Sequence, residues 1–253
     1  MNRTPRTAIL LAAGRARRLG ALTDDRPKCL LEVGGKTLIE HQIDALRGLG
    51  VRDVVVVTGY FADRIEAMLG SSIRSVRNEV YDRTNSLYSL HLALPHVPDG
   101  FVLTNADVLF HPGLLGALLS DDAGDALLYE KGDELGDEEM KVRVEEGRVR
   151  AMAKTLPAGT YQGENLGVLK FSADGAERVR AAAAELVEAG DVNTWAPKAF
   201  DAICREFPIH AVAAGKLPWI EIDFPEDLER ARREVWPAIS ADLSSSRQAH
   251  AGG

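Results

Sequence analysis

Short apolar runs alternate with amphipathic stretches over the first half of the chain. The runs at 7–12 (TAILLA), 53–58 (DVVVVT), 73–77 and 101–105 (FVLTN) are too short for helices and read as buried strands. Between them, 37–49 (TLIEHQIDALRGL) carries apolar residues at helical spacing and stops at Gly50, and 61–69 and 84–94 follow the same period. Beyond residue 125 the pattern switches. Segments 125–130, 140–145, 148–154 and 166–171 predict strands joined by short turns, with a hairpin signal at Glu146-Gly147 and a hydrophilic loop at 132–139 (GDELGDEE). Helices at 175–189 and 195–206, strands at 208–213 and 219–222 and a helix at 225–235 follow. From Pro237 the chain turns small and polar (SSSRQAHAGG at its end), which predicts disorder over 237–253. The sequence holds no internal repeat. This order predicts an α/β fold: a mostly parallel, doubly wound sheet with an antiparallel extension, in one domain over 1–236. Its halves are about 1–125 and 126–236, and ligands belong at the carboxyl ends of the parallel strands.

Charge sharpens the picture. The net charge is −8, yet residues 1–28 hold seven Arg or Lys (3, 6, 15, 17, 18, 26 and 28) against Asp24 and Asp25. A basic nose on an acidic body suits a small polyanion and argues against a nucleic-acid partner, which needs a broad basic face. The first apolar run delivers its end to Gly14-Arg15-Ala16-Arg17-Arg18-Leu19-Gly20, and the next one opens on Pro27-Lys28. Glycine lets backbone N–H groups approach an anion closely, and guanidinium forks hold phosphate oxygens in pairs. This is the make-up of a polyphosphate site. It is not a Walker A loop, because Leu30 stands five residues before Gly35-Lys36-Thr37 where that motif needs glycine. It is not a dinucleotide fingerprint either, because Ala16 stands where the second glycine belongs.

What remains is L-A-A-G-x-x-x-R-L-G over Leu11–Gly20, then P-K-x-L over Pro27–Leu30. It resembles the signature of the sugar-phosphate nucleotidylyltransferases, which join a phosphate monoester to a nucleoside monophosphate taken from an NTP. The resemblance implies a nucleotide-diphospho-sugar transferase-like, Rossmann-like fold, with nucleotide bound in the first half and acceptor in the second. It implies nucleotide contacts from Leu11, Ala12, Ala13, Gly14, Arg15, Arg18, Lys28, Asn85, Ser86 and Ala106, with Lys28 and Arg18 neutralising charge during transfer. Asp107 follows the strand FVLTN and Asp223 ends the short run WIEID. By the same resemblance these two aspartates hold Mg²⁺, a cation content with few carboxylates and several waters. A phosphate monoester is already ionised near neutral pH, its second pKa being about 6, so attack on the α-phosphorus needs no general base.

Tyr81 to Leu90 (YDRTNSLYSL) is similar to a segment of phosphocholine and inositol-phosphate cytidylyltransferase-like members, and so are the stretches around Lys141, Lys154 and Gly163–Gly167. This likeness implies CTP as donor and a small phosphate or phosphonate as acceptor. Lys141 and Lys154 would then hold the acceptor's phosphate, and Tyr88, Glu164, Asn165, Trp195 and Glu221 would face its organic part. A choline headgroup would need an aromatic cage, for which Tyr88, Tyr161, Trp195 and Trp219 are the supply. A polyol phosphate, an aminoalkyl phosphonate or a sugar 1-phosphate would use polar contacts instead. Two alternatives stay open: a sugar- or cyclitol-1-phosphate enzyme using UTP, GTP, dTTP or ATP, and a nucleotide-binding module without catalysis. The six histidines are scattered and read as structural. Cys29 and Cys204 lie far apart with no metal-ligand spacing, which predicts a reduced, cytoplasmic setting, and no run is long enough for a membrane span. Oligomeric state has no signature here.

Overall fold

The computed structural model describes residues 4–251. Arg3 of the basic segment and the last two residues lie outside them.

The strands are β1 Thr7–Leu11, β2 Glu32–Val33, β3 Lys36–Thr37, β4 Asp53–Thr58, β5 Arg74–Arg77, β6 Phe101–Asn105, β7 Val108–Phe110, β8 Ala126–Lys131, β9 Lys141–Glu145, β10 Arg148–Ala153, β11 Gly163–Phe171, β12 His210–Ala213 and β13 Trp219–Glu221. The helices are α1 Leu38–Gly48, α2 Ala62–Leu69, α3 Ser86–Ala93, α4 Pro112–Ser120, α5 Ala173–Glu188, α6 Pro197–Cys204, α7 Pro225–Arg230 and α8 Trp236–Ala251. The main sheet runs β5-β4-β1-β6-β11-β8-β12-β10-β9, and the start of β11 also pairs with β9. Its first four strands are parallel, and β11 turns the sheet antiparallel by pairing against both β6 and β8.

Strand alternation sends successive side chains to opposite faces. Ile9, Val55, Val57 and Leu103 meet α3, α5 and α6 through Leu87, Leu90, Val179 and Phe200. Ala8, Leu10, Val54, Val56 and Val102 meet α1, α2 and α4 through Ile39, Ile43, Ile65 and Leu115. Helices therefore cover both faces, as the near-continuous apolar strands predict. Helix α1 starts where Thr37 and Glu40 form a reciprocal capping box.

A third apolar cluster decides the fate of the tail. Leu19, Leu31, Val33, Leu38, Leu109, Ile220, Ile222, Leu228, Val235 and Ile239 pack together, with Trp236 and Leu243 against them. The disorder expected from Pro237 is thus corrected: α7 runs on through a π-helical stretch, Ala231–Val235, into α8. Polar composition hid the reason, which is that Trp236, Ile239 and Leu243 fall at helical spacing on one face. Trp236 also packs at a tilt against His41, ring centroids 4.4 Å apart, and covers Gly34 of the β2–β3 turn. A Cβ on Gly34, which sits at φ +61°, would lie 1.9 Å from the indole. This cluster reaches Leu19 in the Gly-Arg loop and the strands flanking Asp107 and Asp223, so α8 braces the site from behind. Trp236→Ala should therefore cost about 2 kcal/mol of stability in urea unfolding. No described helix is long and apolar enough to cross a membrane.

Candidate active site

The carboxyl ends of β1 and β6 open into a cleft of about 660 Å³. All ten residues expected to touch nucleotide line it: Leu11, Ala12, Ala13, Gly14, Arg15, Arg18, Lys28, Asn85, Ser86 and Ala106. Backbone bonds fix the floor: Ala12 donates to Val57 (2.9 Å), Ala106 to Leu11 (3.1 Å) and Tyr60 to Ala13 (3.0 Å). The loop above turns through Ala16 and Gly20, both at positive φ. Leu19 is buried beneath it, which leaves Arg15, Arg17 and Arg18 exposed.

Two aspartates meet at one lysine. Lys28 Nζ lies 2.9 Å from Asp107 Oδ2 and 2.7 Å from Asp223 Oδ1. Burial opposes charge on Lys28, but Asp107 and Asp223 outweigh it and hold its pKa above the ordinary lysine value. Asp223, although partly buried, titrates below the usual range because Lys28 faces it. Arg18 reaches the other Asp223 oxygen at 3.3 Å. Asp107 is carried by the turn between β6 and β7, and the buried Gln42 stitches that turn by donating to Asn105 O (2.8 Å) and Val108 O (2.7 Å). Ile222 N donates to Asp107 O (3.1 Å), joining the two carboxylate-bearing segments directly.

Glu221 belongs with these aspartates. The β13 alternation buries Ile220 and Ile222 and turns Trp219, Glu221 and Asp223 the other way. Donor oxygens of Asp107, Glu221 and Asp223 all lie within 4.8 Å of one another, an arrangement able to hold a metal ion. Asp107 Oδ1 is buried with no protein partner. An all-carboxylate trio with an orphaned oxygen fits a hard cation such as Mg²⁺. Glu221 opens onto the cleft, yet the protein around its carboxyl and the nearby Asp107 and Asp223 push its pKa up to about 8. Cys29, next to Lys28, is buried and its thiol is pushed up to about 12, so it offers no thiolate nucleophile.

The acceptor-side expectations divide. Lys154, Asn165 and Trp195 line the cleft with Glu221. Trp195 stands in the loop before α6, which starts at Pro197 rather than 195, and is 46% exposed. The Lys154 ammonium lies over its ring at 4.7 Å. Tyr88, Lys141 and Glu164 are not among the lining residues. Lys141 is buried and donates to the carbonyls of Gly136 and Lys154 (2.8 Å for the latter). These two backbone acceptors clamp the 132–139 loop to the end of β10. Tyr88 lies on α3, ring centroid 6.2 Å from His91. Of the four aromatics considered for a cage only Trp195 reaches the cleft: Tyr161 bonds Asp133 O and Trp219 donates to Glu130.

Glu164 sits among like charges. Burial, then Glu139 and Glu130, raise its pKa to about 7, with Lys141 opposing. The folded value lies above the unfolded one, near 4.3, so its neutral form is fully stabilising below that pH and the contribution is lost as pH rises through 7. Glu164→Gln should therefore raise Tm by about 2–4 °C at pH 8 and by nothing near pH 4. Sequence reading missed Glu138, Asn105 and Asn193, which also line the cleft, as does Tyr81 at the start of the segment singled out above. Glu138 hid in a run of acids, and Asn193 in a loop with no pattern.

A family match covers most of this architecture. Residues 8–185 match the MobA-like NTP transferase domain, and the chain belongs to that family. Among curated relatives, it is 30% identical over 236 residues to a bifunctional IPC transferase and DIPP synthase of Aquifex aeolicus, covering 90% of this chain and 51% of the relative. It is 35% identical over 104 residues to a choline-phosphate cytidylyltransferase of Streptococcus pneumoniae, covering 41% of this chain and 45% of the relative. The chain thus spans about half the length of the curated relatives it matches. Among solved structures, the inositol-1-phosphate CTP transferase from T. maritima superposes with a TM-score of 0.78 at 25% identity, covering 95% of this chain and 97% of the other. The nucleotide-diphospho-sugar transferase-like fold expected from the sequence is the fold observed.

Proposed function

We propose that the protein transfers a nucleoside monophosphate, CMP from CTP, onto the phosphate or phosphonate of a small acceptor and releases pyrophosphate. The observation that carries this reading is the meeting of Lys28, Asp107 and Asp223 at the floor of a cleft walled by the Gly14–Gly20 loop. Asp107, Glu221 and Asp223 would hold Mg²⁺, which would supply positive charge to neutralise the phosphates. The chain's own groups do the rest. Backbone N–H groups of the loop and Arg18 draw in the triphosphate, and Lys28 places fixed positive charge where negative charge gathers at the α-phosphorus. The acceptor's oxyanion attacks in line and pyrophosphate departs; bringing two repelling anions together is the main catalytic task.

The cleft favours a hydroxylated acceptor. Asn165 and Asn193 offer amide groups beside the nucleotide residues, whereas the cleft's two aromatics, Trp195 and Tyr81, are few for a cage around a quaternary ammonium. A polyol phosphate is therefore the acceptor class we propose. One observation favours a second reading: the Trp195 face already takes a cation, Lys154, so an acceptor with an ammonium tail could seat there. Pyrophosphate release from CTP and Mg²⁺, compared across inositol 1-phosphate, phosphocholine, 2-aminoethylphosphonate and glucose 1-phosphate, separates them. The polyol reading requires inositol 1-phosphate to give the highest kcat/KM, and a preference for phosphocholine would replace it with the second.

A further inference from the structure

The loop between β8 and β9 reaches across the cleft. Its base is anchored: Tyr161 Oη donates to Asp133 O (3.0 Å), Leu135 N donates to Tyr161 Oη (3.2 Å), and Lys141 donates to Gly136 O. At its far end Glu138 puts one oxygen, Oε2, 3.1 Å from Arg18 Nη1 and 3.1 Å from Lys154 Nζ. Arg18 comes from the Gly-Arg loop of the first half and Lys154 from the end of β10 in the second. Two cations from opposite walls converging on a single oxygen is how a protein grips a phosphoryl oxygen. The carboxylate between them is 62% exposed and sits on no helix or strand.

We infer that Glu138 is an internal stand-in for a substrate phosphoryl group: it occupies the seat between Arg18 and Lys154 and leaves it when an anion enters. The inference rests on the polyanion reading of the cleft and adds a residue to it. Arg18 and Lys154 hold Glu138 below the usual carboxylate range, so it is ionised at neutral pH and competes as a full charge. Arg18 also has Asp223 at 3.3 Å, but Glu138 is the carboxylate that Arg18 and Lys154 share, so an incoming dianion must displace a monoanion. Each exposed pair is worth little, so displacement is easy and the effect on affinity is modest. Both neighbours also lie on aromatic faces, Arg18 on Phe224 and Lys154 on Trp195, which keeps them in place once Glu138 has left.

A carboxylate that merely positioned Arg18 and Lys154 would weaken anion binding when neutralised. A stand-in does the opposite. Calorimetric binding to the full chain with Mg²⁺ present distinguishes the two, with methylphosphonate standing for an acceptor phosphate and inorganic tripolyphosphate for the nucleotide tail. Glu138→Gln should bind at least one of these anions about three- to tenfold more tightly than the unaltered protein, while Asp137→Asn, which removes a neighbouring charge outside the bridge, binds as before. A gain confined to methylphosphonate assigns the seat to the acceptor, and one confined to tripolyphosphate assigns it to the nucleotide. In turnover the same variant should lower KM for the substrate so identified without raising kcat. Equal or weaker binding by Glu138→Gln, or an equal gain in Asp137→Asn, overturns the inference and leaves the proposed function standing. Failure of the unaltered protein and of Glu138→Gln alike to bind either anion removes the seat itself, and the polyanion reading with it.

Discussion

Asp107→Asn should lower the rate of pyrophosphate release by about 10²–10³-fold while leaving the fold intact. The substitution is isosteric and keeps the turn stitched by Gln42, whose bonds go to the Asn105 and Val108 carbonyls and not to Asp107 itself. Lys28 retains Asp223 at 2.7 Å, so the lysine is not stranded. What disappears is one anionic donor of the trio and with it the match to a divalent cation. Removing a single element of preorganised charge stabilisation costs roughly two to three orders of magnitude in other enzymes. Nucleotide affinity measured without metal should change far less, because the Gly14–Gly20 loop and Arg18 are untouched. The check is a pair of measurements, steady-state pyrophosphate release and metal-free CTP binding. A rate within tenfold of the unaltered protein would show that Asp107 does not serve the reacting group. A nucleotide-binding module without catalysis would show no rate to lose.

Lys28→Met should be nearly as damaging to turnover, and it should also alter stability in a metal-dependent way. The ammonium is the shared counter-charge of Asp107 and Asp223. Its loss leaves two facing carboxylates, with Arg18 reaching Asp223 alone at 3.3 Å. Like charges at such range disfavour the folded state. The variant should melt several degrees below the unaltered protein in EDTA, and Mg²⁺ should restore much of the difference by supplying the missing positive charge. The unaltered protein should gain less from Mg²⁺. Turnover should fall about 10²–10³-fold even at saturating Mg²⁺, since on the proposed reading the cation cannot also replace the lysine's own fixed charge. Equal Mg²⁺ shifts in the two proteins would contradict the placing of Lys28 as the counter-charge of the trio.

Local pattern carried the parallel half of the fold a long way. DVVVVT, FVLTN and TAILLA are short, apolar and bounded by helical periods, and each became the strand its composition demands. The Gly-Arg loop and Lys28 were legible because strand end, glycine and guanidinium occur together within twenty residues. The carboxylate trio was half legible. Asp107 and Asp223 follow apolar runs, and the alternation of Trp219, Glu221 and Asp223 on one side of buried Ile220 and Ile222 held the signal that put Glu221 beside them. Contacts between distant segments had no such signal. Glu138 meets Arg18 across 120 positions, and nothing in GDELGDEE distinguishes the acid that does so. Lys141 was misplaced because strand alternation gives a face but not what covers it, and here the covering loop supplies the carbonyls that hold it. The tail misled through composition: three apolar residues at helical spacing outweighed its serines once a preformed apolar surface lay within reach.

The most direct test of the central claim follows the α-phosphate. With CTP labelled at that position, Mg²⁺ and inositol 1-phosphate or phosphocholine, the account predicts acceptor-dependent transfer of label into a diphosphate-linked product, with one pyrophosphate released per label transferred and a rate about 10²–10³-fold lower from Asp107→Asn. Nucleotide binding without acceptor-dependent transfer, for each of CTP, UTP, GTP, dTTP and ATP, would contradict it.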